Sequence, residues 1–300
     1  MGDWSKRTRI IVGVDGSAGS QSAVVWAARE AEMRNTPLHI VHVAYPPAGG
    51  WYGSGASRAT LPPRLAELQE QQARKAIDDA VEIIEATVEH ARHLRISTEI
   101  MWSPLVPTLV DLTKEAHMVV VGCRGRGALE RALLGSVSTG LVHHAHCPVA
   151  VIHGDARRPA DFAQRPVVVG IDGSPASELA AAIAFDEASW RGVDLAALHA
   201  WSDADWADYP AMDAPAIVAT AEEVLAERMA GWQERYPDVT VRRAVVFDYP
   251  ARHLLAAAES AQLVVVGSRG RGGFAGLLLG SVGTAIVHGA GVPVIVAREG

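Results

Sequence analysis

Lysine is almost missing from this chain: Lys6, Lys75 and Lys114 are the only three, and all lie in the first half. An anion site in the second half must therefore be built from arginine, backbone N–H groups or hydroxyls. Cysteine is scarcer still. Cys123 and Cys147 both fall in the first half without counterparts in the second, which is no disulfide framework and fits a reducing cytoplasm. No apolar run approaches the roughly 18 residues of a membrane span, so none is expected. The opening MGDWSKRTRIIVGVDGS has too short an apolar run for a signal peptide, and Lys6 breaks the pattern that marks a myristoylated Gly2. A broad cationic surface is lacking too: the formal net charge of -7 argues against a general nucleic-acid binder.

What remains is a folded protein. Hydrophobic residues make up 49% and charged residues 20% of 300 positions, enough for two ordinary domains that each bury a core. The chain reads as a duplication. RIIVGVDGSAGSQSAVVWAAREAEMRNTPLHIVHVA, starting at Arg9, returns as PVVVGIDGSPASELAAAIAFDEASWRGVDLAALHAW, starting at Pro166. VVVGCRGRGALERALLGSVSTG at Val119 returns as VVVGSRGRGGFAGLLLGSVGTA at Val264, with 14 of 22 positions identical. Between the copies, GDARRPADFAQRP has the composition of a linker. The expected division is residues 1–153, a linker over 154–165, and residues 166–300.

Each copy reads as β-α-β-α-β-α-β-α-β. Strands are predicted to begin near Arg9, Pro37, Ile96, Met118 and Pro148, with a long helix from Ala66 to Leu94 and its partner from Ile217 to Arg235. Short valine-rich strands alternating with helices indicate a parallel sheet buried on both faces. Such sheets hold ligands beyond the carboxyl ends of their strands, where the strand order reverses. Asp15 ends the first strand and Gly122 the fourth; if those strands are neighbours, both residues line one crevice.

The repeated loop spaces Gly122, Gly125 and Gly135-Ser136 as it does Gly267, Gly270 and Gly280-Ser281. Glycine lets backbone approach a ligand closely. Ser136 and Ser281 read as N-caps of the next helix, whose free N–H groups favour an anion. Arg124 and Arg126, with Arg269 and Arg271, supply charge where lysine is missing. No Gly-Lys-Ser/Thr occurs, so this is not a Walker A loop, and a dinucleotide fingerprint would follow the first strand, not the fourth. A purely structural strand-to-helix turn is the competing reading of either copy alone.

Together these motifs resemble the universal stress protein family over nearly the whole chain apart from the linker. The resemblance implies two tandem Rossmann-like α/β domains, each a five-stranded parallel sheet in the order 3-2-1-4-5 with helices on both faces. It implies an ATP site in each, with Mg²⁺ bridging phosphates. In the first copy the site residues would be Gly13, Asp15, Val43, Val121, Gly122, Arg124, Gly125, Gly135, Ser136, Val137 and Ser138. In the second they would be Gly170, Asp172, Ala200, Val266, Gly267, Arg269, Gly270, Gly280, Ser281 and Val282. Val43 and Ala200, each after a histidine read as ending strand two, would grip the adenine through backbone. The family pairs its domains through the last strand, which implies a homo-oligomer such as a dimer, or the same pairing within one chain. The expected function is regulatory, with nucleotide occupancy changing assembly or a partner interaction; AMP or cyclic AMP are alternatives to ATP.

Several residues carry a second reading. Asp15 and Asp172 shape Asp-Gly-Ser turns whose serines, Ser17 and Ser174, cap the following helices, with Pro175 at the first helical position. His143, His144, His146 and Cys147 invite a metal, but adjacent residues on a helix diverge and the second copy has only HGAGV there, so no metal site is assigned. Cys123 is replaced by Ser268, which favours a small residue in a crowded turn over a redox thiol. Trp51, Trp201 and Trp206 follow the second strand, where a cover for a nucleotide competes with ordinary packing. No nucleophile with a base repeats, so catalysis beyond slow ATP hydrolysis or phosphotransfer is not expected. The copies differ at Ser138 against Gly283 and at Glu130-Arg131 against Ala275-Gly276, which predicts unequal affinities.

Overall fold

The computed structural model describes residues 8–44, 63–125, 134–153, 161–201, 214–271 and 279–298. Its packing divides at residues 154–155 into two units. The first runs β1 (Ile10–Gly13), α1 (Ala18–Met33), β2 (Leu38–Ala44), α2 (Pro63–Thr87), β3 (Ile96–Trp102), α3 (Leu105–Leu112), β4 (Met118–Gly122), α4 (Ser136–His144) and β5 (Val149–Ile152). Its strands lie in the order β3-β2-β1-β4-β5, every pair parallel. The second runs β6 (Val167–Ile171), α5 (Pro175–Arg191), β7 (Leu195–Trp201), α6 (Ala214–Arg235), β8 (Val241–Phe247), α7 (Pro250–Ala258), β9 (Leu263–Gly267), α8 (Ser281–Gly289) and β10 (Val294–Ala297). Its order is β8-β7-β6-β9-β10, again all parallel. Each unit is the Rossmann-like sheet that the sequence implied.

The central strands are continuous apolar runs because both their faces are covered. In β1, β4 and β5 every residue but the terminal glycines is buried. Helix α1 packs on β1 and β4 and against α2, while α3 packs against α4. The parallel register sets Ile10 beside Met118 and Val12 beside Val120. The carboxyl ends of β1 and β4 therefore lie side by side while β1 also pairs with β2. That is the order reversal at which a crevice opens.

Both copies hold a buried ion pair on the first helix. Arg34 Nε meets Glu30 at 2.6 Å, and Arg191 Nη2 meets Glu187 at 2.7 Å. This constellation repeats as faithfully as Asp15 and Asp172 do.

Two boundaries differ from expectation. The long helix begins at Pro63 and stops at Thr87, with a short 3-10 turn over Ala91–His93, where one helix to Leu94 was predicted. The cause is a distant side chain: Glu32 Oε1 accepts the His90 backbone N–H at 2.9 Å and holds the chain in a turn. The second strands run on to Ala44 and Trp201, so His42 and His199 do not end them. The last residues of the stretch read as a linker are also tied down. Gln262 Nε2 donates to the carbonyls of Ala163 and Arg165, and Arg165 Nη1 donates to Glu259 O.

Candidate functional site

Strand β1 ends by delivering Asp15 to the crevice. Its Oδ1 accepts the Ser17 N–H at 2.9 Å and the Ser17 hydroxyl at 2.6 Å, and Gly16 turns the corner at φ 77. Ser17 caps α1 by accepting the Ser20 N–H at 3.2 Å. The second unit repeats the device: Asp172 Oδ1 accepts the Ser174 N–H at 2.9 Å, Gly173 has φ 77, and Ser174 caps α5 through Ser177 N at 3.2 Å. The turn-shaping role of these aspartates is thus real. It engages Oδ1, while Oδ2 of each faces the glycine loop.

The loop glycines divide by what stands where their side chains would be. A Cβ on Gly125 would lie 2.5 Å from Asp15 Oδ2, as one on Gly270 would from Asp172 Oδ2. A Cβ on Gly122 would instead lie 2.6 Å from the backbone C and O of Gly19, in the first turn of α1. Gly122 was expected to be small because a nucleotide needs the space. Its nearest neighbour is a helix, and its smallness lets β4 and α1 meet. Gly267 meets the backbone of Ala176 in the same way, at 2.9 Å.

The loop is closed at its base. Cys123 N–H donates to Ile152 O and Gly135 N–H to Cys123 O, both at 2.8 Å; Ser268 and Gly280 repeat these bonds at 3.2 and 2.9 Å. Gly135 and Gly280, not the serines, are the N-caps of α4 and α8. Each glycine's carbonyl accepts the first intrahelical bond, from Thr139 and Thr284. Ser136 and Ser281 are consequently first helical residues. The N–H groups of Ser136, Val137 and Ser138, and of Ser281, Val282 and Gly283, open the helices and have no partner inside them. Ser138, expected among the site residues, has its hydroxyl engaged within the loop. It is buried, and its Oγ donates to Cys123 O at 3.2 Å and approaches Gly135 O at 3.3 Å, so it braces the loop.

These parts surround a cavity of about 690 Å³ in the first unit, within the roughly 300–1,000 Å³ of small-molecule sites. Every site residue expected in the first copy lines it: Gly13, Asp15, Val43, Val121, Gly122, Arg124, Gly125 and Gly135 to Ser138. Among the lining residues that the sequence reading missed are Gln69 and Gln72 from α2, and Leu105 and Leu109 from α3. Their only sequence signal is spacing, since i,i+3 and i,i+4 partners share a helix face.

The second unit brings together the same backbone positions with different cover. Ala200 sits within β7 opposite Val246, and Gly170 faces Leu254 of α7. Over the Asp172 turn lie arginines. A Cβ on Gly173 would overlap the Arg228 guanidinium, which Glu178 holds at 3.2 Å. The Arg271 N–H donates to Asp172 Oδ2 at 3.2 Å and its Nε to Asp172 O. Burial, together with the charge of Arg269, holds the Arg298 guanidinium below its ordinary value; the residue after β5 in the first copy is His153.

Other candidates come to rest away from this chemistry. The His143 and His144 rings are 6.2 Å apart and near perpendicular. Among the described residues no three His, Cys, Asp or Glu side chains converge as a metal site. Cys123 and Cys147 are buried free thiols. Arg126, Glu130, Arg131, Ala275, Gly276, Trp51 and Trp206, and the side chain of Trp201, lie outside the described residues. No described helix is long and apolar enough to cross a membrane.

Comparison with known proteins agrees with the duplicated architecture. Residues 6–153 and 164–298 each match the model of the Universal stress protein family. Universal stress protein Rv2623 of Mycobacterium tuberculosis is 53% identical over 290 residues, covering 97% of this chain and 96% of that one. Universal stress protein Rv2005c of the same organism is 52% identical over 294 residues, with 98% of each covered. A universal stress protein from Archaeoglobus fulgidus shares the fold at a TM-score of 0.71 and 19% identity, covering 98% of this chain and all of that one. Two tandem copies of one fold, each with the same Asp-Gly-Ser turn and glycine loop, make this chain a member of the universal stress protein family.

Proposed function

We propose that each domain, 1–153 and 166–300 about the linker 154–165, binds one adenine nucleotide, ATP in the first instance. Occupancy then sets the protein's assembly as a homo-oligomer, or its contact with a regulatory partner in the cytoplasm. The supporting observation is the cavity of the first unit. There the open N–H groups of α4, the small residues of the loop and the Asp15 carboxylate meet beneath an apolar wall of Leu105 and Leu109. A helix N-terminus suits phosphates, a carboxylate suits ribose hydroxyls, and leucines with Val43 suit a base. Among the described residues Asp15 is the only carboxylate on the cavity wall. A Mg²⁺ there would be held mainly by phosphate oxygens and water, as that ion commonly is with nucleotides. The carboxylate also accepts from Ser17, the cap of α1, which fits binding better than proton transfer.

The test is the nucleotide content of the purified protein, released by acid and quantified per chain, before and after soaking in Mg-ATP. One nucleotide per domain is expected after soaking. A chain that stays empty under those conditions would make the glycine loops architecture alone. The Gly125→Ala variant should lose the first site, since its methyl displaces the Asp15 carboxylate.

A further inference from the structure

His39 joins a serine to a carboxylate. It stands on β2 beside Ser97 of β3 in the parallel register, and Glu99, two residues on, projects from the same face of the sheet. Ser97 Oγ lies 2.8 Å from His39 Nδ1, and Glu99 Oε2 lies 3.2 Å from Nε2. The carboxylate sets the direction of both bonds. An ionised Glu99 only accepts, so Nε2 of the neutral imidazole carries the hydrogen and Nδ1 keeps a lone pair. The Ser97 hydroxyl therefore donates to Nδ1. His39 is 8% exposed, whereas Ser97 is an exposed residue, so the base is shielded and the serine it polarises faces water. None of the three lines the cavity described above. The second copy has Ala196, Arg242 and Ala244 at these places in β7 and β8, so the fold does not require the relay.

We propose that Ser97 is a catalytic nucleophile, with His39 as its base and Glu99 orienting that base, and that the first unit slowly hydrolyses carboxylic esters here. A nucleophile within hydrogen-bond reach of a base that a third group holds is the arrangement such chemistry needs. Ser97 Oγ adds to the ester carbonyl carbon as its proton passes to His39 Nδ1, and Glu99 stabilises the imidazolium through Nε2–H. The bond to the alcohol oxygen breaks, and the alcohol leaves with the Nδ1 proton while the acyl group stays on Oγ. Water then adds to the acyl carbon, giving a proton to Nδ1; the acid departs and Ser97 regains its hydrogen. An oxyanion donor stands next along the strand. The Leu38 N–H donates to Arg95 O and the Ser103 N–H to Ala44 O, so odd-numbered residues of β3 bond to β2. The Thr98 N–H turns instead to the open edge, since β3 ends the sheet. The N–H after the nucleophile serves an oxyanion in α/β-hydrolases. One such donor stabilises little charge, which restricts the substrates to small esters with good leaving groups. This activity is independent of nucleotide binding.

The experiment treats the full chain with a fluorophosphonate, which phosphonylates an activated serine with loss of fluoride, and maps the label by peptide mass spectrometry. Release of nitrophenolate from para-nitrophenyl acetate is followed alongside. The label should fall on Ser97, faster in the folded chain than in the same chain in urea, where the relay is gone. Ser97→Ala should take no label there and release less nitrophenolate. His39→Gln should slow labelling about a hundredfold or more, the worth of a general base. Glu99→Ala, at a half-exposed position, should slow it as well. A wild type that takes no label at Ser97, or takes it no faster folded than in urea, overturns the proposal. So does an unchanged rate in folded His39→Gln. Should that variant fail to fold, the comparison with urea and the Glu99→Ala protein still decide.

Discussion

Glycines of one motif do different work, and the nearest atom to each missing side chain tells which. At Gly122 that atom is backbone of Gly19, 2.6 Å away, and Gly19 in turn would press on Arg124 O at 2.6 Å. Gly19 cannot swing aside, because it belongs to the first turn of α1. At Gly125 the neighbour is the end of the Asp15 side chain, which can rotate. Gly122→Ala should therefore lower stability by about 1–3 kcal/mol, the usual cost of overpacking. Gly125→Ala should change stability by less than about 1 kcal/mol while removing nucleotide binding from the first site. Denaturant melts and ATP titrations of the two variants check this. Equal stability losses would mean that the loop tolerates Gly122→Ala by moving, and that β4 and α1 are not locked together.

At the scale of elements, the copies solve the end of the first helix with different residues. Helix α1 is closed by Asn35 at φ 47 and α5 by Gly192 at φ 63, and in each the next residue reaches back: Thr36 N to Ala31 O and Val193 N to Ala188 O. A Cβ on Gly192 would meet nothing within 4 Å, so Gly192→Ala isolates the cost of the left-handed backbone, about 1–2 kcal/mol. Asn35→Gly should stabilise by up to about 1 kcal/mol for the same reason. Unfolding curves resolved for the two units test both; a neutral Gly192→Ala would place the strain elsewhere. Elements of this kind were largely legible in the sequence. Buried parallel strands leave valine runs such as Val119 to Val121, and Ser17 and Ser174 announce the helices they cap. What was not legible depends on contacts distant in sequence. Glu32 stops the chain at His90 across 58 residues. Gly135, pinned by Cys123 O, takes the capping role that propensity assigned to Ser136. Gln69 and Gln72 look like two polar residues on a surface helix until the fold sets them over the end of β2.

At the scale of the whole molecule, the duplication sets unlike side chains on like backbones. The backbone elements agree: the same strand order, the same Asp-Gly-Ser turn, the same N-terminal glycines on α4 and α8. The side chains around them do not. Among the described residues, the first unit's cavity is lined by the amides of Gln69 and Gln72, by leucines and by Arg124. The second sets Arg228 over Gly173, Arg271 on Asp172, and Arg269 beside Arg298. If the second unit holds an anion, Arg228 and Arg298 add coulombic attraction there to the loop arginines that both copies carry, Arg124 and Arg126 in the first and Arg269 and Arg271 in the second. Salt separates the two, because the Debye length shrinks from about 10 Å at 0.1 M to about 3 Å at 1 M. Raising sodium chloride from about 0.1 M to about 1 M should weaken ATP binding at the second site several-fold more than at the first. A two-site titration at both salt concentrations, with Gly125→Ala marking which site is which, reads the outcome. Equal salt slopes would mean that the arginines of the second unit hold the turn and not the ligand, and the difference between the copies would then be one of folding alone.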